Sequence, residues 1–228
     1  DCGFGIRQLA TRLGAAGLGI DQIDAIFITH EHADHVGCAH TVAMRHRIPV
    51  FMSRGTHVAI GAPDFDGLLQ MAHDMVPIDL GTVCAVPFTV PHDAREPLQL
   101  RCTDGASHLG LLTDLGHASP HVLQQLQGCH ALLLEANHDP DMLAASGYPA
   151  FLKRRIAGVH GHLANHDAAG ILAAVRHTGL NRVVAAHLSA QNNQPRLAQQ
   201  ALAHSMGWPA DAVDIASATA GTDWINVV

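Results

Sequence analysis

The chain has 228 residues, of which 48% are hydrophobic and 14% are charged, and its formal net charge is −7. This length suits a single domain over residues 1–228, and the low charged fraction argues against intrinsic disorder. No apolar run approaches the roughly 18 residues of a membrane span. The negative charge excludes a basic arm that binds nucleic acid by charge alone.

The five cysteines are widely spaced and form no C-x-x-C pair, so neither a disulfide framework nor a cysteine zinc site is expected. No basic segment followed by an apolar one opens the chain, so no signal peptide is visible. Both features favour a reducing, cytoplasmic setting without membrane attachment.

Short β-rich runs alternate with helical stretches along the chain. In chain order, the pattern predicts a helix over 6–16, a strand over 25–29, a helix over 36–47, a strand over 50–52, a mixed region over 53–81, a strand over 83–90, paired strands over 98–102 and 108–113, a helix over 121–127, a strand over 131–134, helices over 139–146, 150–156 and 165–177, a strand over 182–186, a helix over 196–206 and a strand over 213–216. Asn165 stands where it could cap its helix. This alternation predicts an α/β (α+β) fold of sheets covered by helices.

Four potential metal ligands lie within six residues after the strand predicted at 25–29. They are His30, His32, Asp34 and His35, in the pattern H-x-H-x-D-H. Imidazole suits first-row transition metals and carboxylate adds negative charge, so the cluster predicts a metal site. The alternative is a chance pattern in a chain with 19 histidines.

Three further candidates each end an apolar run, as His30 does: His92, Asp114 and His187. Seven ligands could then serve two ions. His30, His32 and His92 would hold one ion. Asp34, His35 and His187 would hold the other, and Asp114 would bridge the two. Each of the three added residues, taken alone, could instead be structural.

Two such ions form a hydrolytic centre. A water between them loses its proton near neutral pH, and the bridging hydroxide attacks a carbonyl carbon or a phosphorus. The chain has no G-x-S-x-G motif or P-loop that would indicate another chemistry.

The H-x-H-x-D-H motif, followed in order by His92, Asp114 and His187, resembles the metallo-β-lactamase-fold superfamily. The resemblance implies a four-layer αββα sandwich with the two metals at the sheet edges. The superfamily includes lactamases, thioesterases, lactonases and nucleases, and the seven ligands do not choose among them.

Further segments resemble the YycJ-type family of bacterial DNA exonucleases. They are TDLG (113–116), LEANHD (134–139), YP (148–149), LKRRI (152–156), GHLAN (161–165), and HLS (187–189) followed by Asn192-Asn193-x-Pro195. The resemblance implies metal-dependent hydrolysis of DNA from a 5′ end. Members of that family begin with a strand and a glycine-rich turn upstream of the segment at Asp1, so we expect the first strand or strands to be missing here.

Six residues are candidate substrate contacts. The resemblance suggests that His162 binds the scissile phosphate or acts as general acid, and Asp34 is the other expected catalytic residue. Lys153 and Arg155 could clamp phosphate or form a solvated helix face. Asn165 could cap its helix or touch substrate. Ser189 and Asn193 could brace His187, touch phosphate or shape a turn. Glu135, Asn137 and His138 could orient ligands or close a loop.

The sequence therefore predicts a hydrolase with two divalent ions, most simply a 5′ to 3′ DNA exonuclease. Zinc suits the histidine-rich set, while manganese and iron remain open. One alternative is a thioester or lactone hydrolase of the same fold, and another is a non-catalytic metal-binding partner protein. Strand preference for single- or double-stranded DNA and the oligomeric state are left open.

Overall fold

A computed structural model describes residues 1–227 and shows a mixed α/β protein, as the sequence predicts. The Cα positions group into two compact units. The first comprises Asp1–Thr89 and Ala94–Gln99, and the second comprises Val90–Asp93 and the chain from Leu100 onward. The expectation of one domain over 1–228 stays a prediction.

The first unit contains α1 (Ile6–Ala15), β1 (Ile26–Ile28), α2 (Ala33–Val36), α3 (Ala39–His46), β2 (Val50–Met52), α4 (Arg54–Ala59), β3 (Leu69–Met71), β4 (Ile78–Asp79) and β5 (Cys84–Thr89). Strands β1, β2 and β3 form a parallel sheet in that order, and β4 pairs antiparallel with β5.

The core of the first unit lies on this parallel sheet. Ile28, Val50 and Met52 are fully buried, and Val42 of α3 and the loop residue Phe65 belong to the same apolar cluster. All three residues of β2 are buried, which explains why that strand is a continuous apolar run. The sheet thereby fixes the carboxyl end of β1, where the histidine-rich motif begins.

The second unit contains most of β6 (Leu98–Thr103), then β7 (His108–Leu112), α5 (Pro120–Leu126), β8 (Ala131–Glu135), α6 (Pro140–Ala145), α7 (Ala150–Ile156), α8 (Asn165–Val175), β9 (Arg182–Ala186), α9 (Pro195–Met206) and β10 (Asp214–Ile215). The strands lie in the order β10-β9-β8-β7-β6. The pairs β7–β8, β8–β9 and β9–β10 are parallel, and β6 is antiparallel to β7.

Side chains of β7, β8 and β9 that are fully buried include Leu112, Leu134 and Val183. Helices α8 and α9 pack against each other and bury Leu172 and Leu202. Because β7, β8 and β9 are parallel, their carboxyl ends meet at one edge, and the residues that follow them are brought close together.

The predicted elements are found with small shifts of their ends, and the differences have local causes. The helix predicted over 36–47 is observed as α3, Ala39–His46, because Gly37, whose φ of +38° interrupts the helical backbone, ends the short helix α2 at Val36. Asn165 does not cap α8: the N-cap is Ala164, and the Asn165 side chain is used elsewhere. Over residues 1–227, the structure contains no helix that is both long and apolar enough to cross a membrane.

Candidate metal centre

Thr29, which follows β1, contacts the first histidine of the motif, and that histidine contacts the second. The Thr29 hydroxyl lies 3.0 Å from Nδ1 of His30, and Nε2 of His30 lies 2.9 Å from Nδ1 of His32. A tetrahedral zinc ion, with bonds of about 2.0–2.1 Å to nitrogen, separates its ligand nitrogens by about 3.3 Å. These two imidazoles are therefore close to the spacing that one ion requires.

Asp1 fixes the third histidine of the motif. Its carboxylate accepts hydrogen bonds from the Thr29 amide at 2.8 Å and the Thr29 hydroxyl at 3.1 Å, and it lies 2.8 Å from Nδ1 of His35. A carboxylate only accepts, so Nδ1 of His35 carries the proton and Nε2 keeps its lone pair. This is the arrangement expected of a metal-binding histidine with a supporting carboxylate.

Asp34 lies beside the lone-pair nitrogen of His35. Its Oδ2 atom is 3.7 Å from Nε2 of His35, and its side chain is 71% exposed whereas His35 is buried. An exposed carboxylate next to a held imidazole can take part in binding an ion or a substrate that arrives from solvent.

In the second unit, Asp114, Glu135 and His187 lie at the carboxyl ends of β7, β8 and β9. Asp114 follows β7 by two residues, Glu135 ends β8, and His187 directly follows β9. Asp114 and His187 both have left-handed backbone, with φ of +54° and +56°. Non-glycine residues rarely adopt this conformation, and such positions concentrate at functional sites.

Glu135 connects the side chains of this edge. Its Oε1 atom accepts hydrogen bonds from Nδ1 of His162 at 2.8 Å and Nδ1 of His187 at 3.0 Å. Its Oε2 atom accepts from the backbone amides of Leu115 at 3.1 Å and Leu163 at 3.3 Å. Both imidazoles therefore keep the lone pair on Nε2, the nitrogen that does not face Glu135.

Glu135 is fully buried, and burial by itself would raise the pKa of its carboxyl group. The hydrogen bonds from His162 and His187 lead the influences that outweigh burial and hold the pKa of Glu135 below its ordinary value. Glu135 is thus an anion that orients two histidines.

His92 is held in the same tautomer by a different acceptor. Its Nδ1 atom lies 3.1 Å from the carbonyl oxygen of Gly161, and its Nε2 atom lies 3.4 Å from Asp93 Oδ1 and 4.0 Å from Asp114 Oδ1. Burial lowers the pKa of His92, and the nearby Asp114 and Asp93 only partly oppose this. A neutral imidazole is the form that binds metal.

The donor set fits a divalent transition metal. Within the second unit, one donor atom from each of Asp114, Glu135, His162 and His187 lies within 4.8 Å of the others. Glu135 differs from the other three residues, because its two oxygens already accept hydrogen bonds from two imidazoles and two backbone amides. Asp114, His162 and His187 are the other donors of this set that could hold an ion.

The family model described as "Beta-lactamase superfamily domain" matches residues 1–188. The chain belongs to the metallo-β-lactamase-fold superfamily. Its mixed sheets and helices and its His/Asp clusters, which suit divalent metals, are those of a hydrolase with this fold.

Named relatives place the chain in the YycJ-type family of this superfamily. Exodeoxyribonuclease YycJ of Bacillus anthracis is 30% identical over 207 residues, which cover 89% of this chain and 78% of that protein. Exodeoxyribonuclease WalJ of Streptococcus pneumoniae is 26% identical over 211 residues, covering 90% of this chain and 78% of that protein. The metallo-β-lactamase-fold protein YhfI of Bacillus subtilis has the same fold, with a TM-score of 0.71, 16% identity, and coverage of 98% of this chain and 85% of that one.

Two of the candidate substrate contacts bond to each other in the second unit of this metallo-β-lactamase fold. The side-chain amides of Asn165 and Asn193 exchange two hydrogen bonds of 2.9 Å, and Nδ2 of Asn193 also donates to the Ala136 carbonyl at 2.8 Å. Both residues are buried. This geometry supports the turn-shaping interpretation, while contact with substrate stays a prediction.

Ser189 lies in the turn after His187. Its hydroxyl accepts from the Asn192 amide at 3.1 Å, and its own amide donates to the Asn137 carbonyl at 2.8 Å. The Asn137 side chain in turn donates to the His187 carbonyl at 2.9 Å. Asn137 therefore holds the backbone of His187, as one of the two interpretations of this residue proposed.

Lys153 and Arg155 lie in the last turn of α7. Nζ of Lys153 donates to the Ala144 carbonyl at 2.6 Å, and Nε of Arg155 donates to Asp93 Oδ2 at 2.6 Å. Asp93 raises the pKa of Arg155 by this hydrogen bond and by its charge. Since Asp93 also lies beside His92, the contact ties α7 to the metal-ligand edge of the second unit.

Little in the sequence pattern indicates the roles of Asp1 and Asp93. Asp1 acts on a histidine 34 residues away, and Asp93 lies between His92 and Arg155. The only available signal was a carboxylate adjacent to a candidate ligand, as Asp93 is to His92. Glu135 was detectable because it ends an apolar strand, although its two histidine contacts were not.

Proposed function

We propose that this chain is a metal-dependent exodeoxyribonuclease that degrades DNA from a 5′ end by hydrolysing phosphodiester bonds. Its similarity to two exodeoxyribonucleases of the same family supports this activity. The main structural support for this proposal is the contact of Glu135 with both His162 and His187. That contact orients His187 for binding a metal and His162 for binding a phosphate group.

The proposed centre holds two divalent ions on seven ligands. His30, His32 and His92 would hold one ion, Asp34, His35 and His187 would hold the other, and Asp114 would contribute to both. Support comes from the hydrogen bonds of three of these histidines: acceptors at Nδ1 of His35, His92 and His187 favour the tautomer with its lone pair on Nε2, the form that binds metal through that nitrogen. Zinc suits this set best, and manganese or iron also accept imidazole and carboxylate.

When bound, two ions of this kind lower the pKa of water and stabilise negative charge on phosphate oxygens. The protein's own groups set the geometry of that chemistry. Asp1, Glu135 and the Gly161 carbonyl keep three imidazoles in fixed orientations, so little reorganisation is needed when a ligand arrives.

His162 is the proposed contact to the scissile phosphate. Its Nδ1 atom is held by Glu135, and its side chain is 24% exposed, so the opposite nitrogen, Nε2, can reach a bound molecule. In the protonated form, Nε2 donates a hydrogen bond to a phosphate oxygen or a proton to the leaving oxygen.

The surface of α7 suits binding of a DNA strand whose end lies at His162. Lys153, Arg154 and Arg155 place positive charge in its last turn, and the Phe151 ring on the same helix is 66% exposed. Basic side chains beside an exposed aromatic ring bind phosphates and stack on bases in single-stranded DNA. The helix is connected to the site because the His162 amide donates to the Ile156 carbonyl at 2.8 Å.

The test measures metal content and DNA degradation on the same purified protein. DNA labelled at the 5′ or the 3′ end, with the opposite end protected, reports polarity, and single- and double-stranded substrates report preference. We expect mononucleotide release that chelator abolishes and added metal restores. Asp34→Ala and His32→Ala should lower activity at least 100-fold, whereas His204→Ala, which changes an exposed histidine of α9, should not.

The net charge of −7 favours a second candidate, a hydrolase of a small thioester or lactone. The same preparations are therefore assayed on a generic thioester and a lactone. Turnover of these esters without DNA degradation would replace the nuclease proposal. Two ions per chain without turnover of any substrate would indicate a metal-binding partner protein instead.

A further inference from the structure

A pair of thiols lies next to the histidine-rich motif in the first unit. The Sγ atoms of Cys2 and Cys38 are 3.6 Å apart, and both cysteines are reduced in the structure. Cys2 is buried, and Cys38 is partly exposed. The two sulfur atoms are at van der Waals contact, so they are already neighbours before any bond forms.

The backbone around this pair is fixed. The Cys38 amide donates to the Cys2 carbonyl at 3.0 Å, and the Cys2 amide donates to the His35 carbonyl at 2.8 Å. Gly37 permits this approach, since a Cβ atom there would lie 2.3 Å from the Cys2 carbonyl oxygen. A bond of about 2.05 Å between the sulfurs therefore needs side-chain rotation and little movement of the chain.

The two thiols differ in a way that gives each a role. Cys38 is the N-cap residue of helix α3 and is partly exposed, so it can be reached from solvent. Cys2 is buried behind it. Cys38 is therefore the thiol that meets an oxidant first.

We propose that Cys2 and Cys38 form a redox-sensitive site that hydroperoxides convert reversibly to a disulfide. The Cys38 sulfur attacks the outer oxygen of the hydroperoxide ROOH, the O–O bond breaks, and ROH leaves with the thiol proton. Cys38 is then a sulfenic acid. The Cys2 sulfur attacks the Cys38 sulfur, the S–O bond breaks, and water leaves with the Cys2 proton. Two thiols thus lose two electrons in total to one hydroperoxide.

The disulfide would act on the segment that supports the metal motif. Asp1 precedes Cys2 and holds Nδ1 of His35, while Cys38 follows that motif by three residues. In the reduced form, hydrogen bonds and apolar packing hold the segment, without a covalent link. Oxidation would add a covalent link that closes the chain from Cys2 to Cys38 and so restricts the unfolded state.

Peptide mapping of the full chain tests this site. The protein is treated with hydrogen peroxide, its remaining thiols are alkylated, and it is digested with trypsin. We expect the peptide that ends at Arg7 to be joined to the peptide of residues 13–45, with a loss of two hydrogens and separation by dithiothreitol. The oxidised protein should melt about 5–10 °C higher than the reduced one.

Variants separate this pair from other thiols. Cys38→Ser should abolish both the linked peptide and the rise in Tm, whereas Cys84→Ser, which removes a partly exposed thiol of β5, should leave both unchanged. The wild-type peptide map does not depend on how any variant folds. If Cys38 accumulates as sulfinic acid while Cys2 stays a free thiol, or if Cys2 links to another cysteine, the proposal is wrong.

Discussion

Glu135 and His187 are 52 residues apart in the chain and are joined by a hydrogen bond of 3.0 Å between Oε1 and Nδ1. The same oxygen accepts the Nδ1 proton of His162 at 2.8 Å. One buried carboxylate at the end of β8 therefore sets the tautomer of two histidines that follow different segments of the second unit.

Replacing Glu135 with glutamine should weaken metal binding by about 10- to 100-fold, because supporting carboxylates of this kind contribute about that much. An amide has one acceptor oxygen, so it cannot serve both the imidazoles and the amides of Leu115 and Leu163. Competition with a chelator measures the affinity. Asp141→Asn, which makes the same exchange at an exposed position of α6, is the control. Equal affinity in both variants would remove Glu135 from the supporting role.

Asp1→Asn should weaken metal binding to a similar extent, about 10-fold or more, because it removes the charged acceptor of the His35 Nδ1 proton. The control is Asp24→Asn, which changes an exposed carboxylate of the same unit. Metal affinity is read by the same competition, and circular dichroism checks that both variants are folded. Unchanged affinity in Asp1→Asn would show that Thr29 alone suffices to orient His35.

His138 should make the protein less stable in mild acid. It is buried, its Nδ1 atom has no hydrogen-bond partner, and burial lowers its pKa. The unfolded chain takes up a proton near the ordinary pKa of about 6.5, whereas the folded chain does not until lower pH. Its contribution is complete above pH 6.5 and is lost as pH falls from there toward the lowered pKa.

Urea unfolding of wild type and His138→Leu at pH 7.5 and pH 5.5 measures this effect. We expect the wild type to lose more of its free energy of unfolding between these values than the variant does. Part of the loss should remain in the variant, since burial also lowers the pKa of His92 and His108. An identical loss in both proteins would contradict the assignment to His138.

Asn165 and Asn193 should matter for stability more than for substrate binding. Replacing either with alanine leaves buried polar atoms of the other without partners, so each change should cost about 1–3 kcal/mol. The double variant should cost less than the sum of the two. Urea unfolding gives the energies. KM for DNA near the wild-type value in the single variants would assign the pair to the turn, and a large rise in KM without loss of stability would assign it to substrate.

Most secondary structure could be predicted because the apolar runs are long or regular. Strands β2 and β9 begin and end where the sequence predicts, at Val50–Met52 and Arg182–Ala186, since both are almost continuous apolar runs. The sequence pattern did not predict strands β3 and β4 as separate elements within the mixed region over 53–81. They are three and two residues long and largely exposed, so no periodicity marks them.

The candidate site was predictable in its residues and less so in its contacts. His92, Asp114 and His187 could be selected because each follows an apolar run, and the parallel strands explain why Asp114 and His187 meet. The supporting contacts could not be read in the same way. Asp1 contacts His35, 34 residues away in the chain, and Asn165 bonds to Asn193 instead of capping α8. Both contacts depend on the tertiary structure, which local sequence does not reveal.

The left-handed backbone of Asp114 and His187 has a consequence for how this protein can change. That conformation costs a non-glycine residue roughly 1 kcal/mol that glycine avoids. Selection for heat resistance alone would favour glycine at both positions, and each exchange would delete a proposed ligand. Thermal stability and the proposed ligand role thus make opposite demands on these two residues. A more heat-resistant variant that keeps both side chains must gain its stability from other positions.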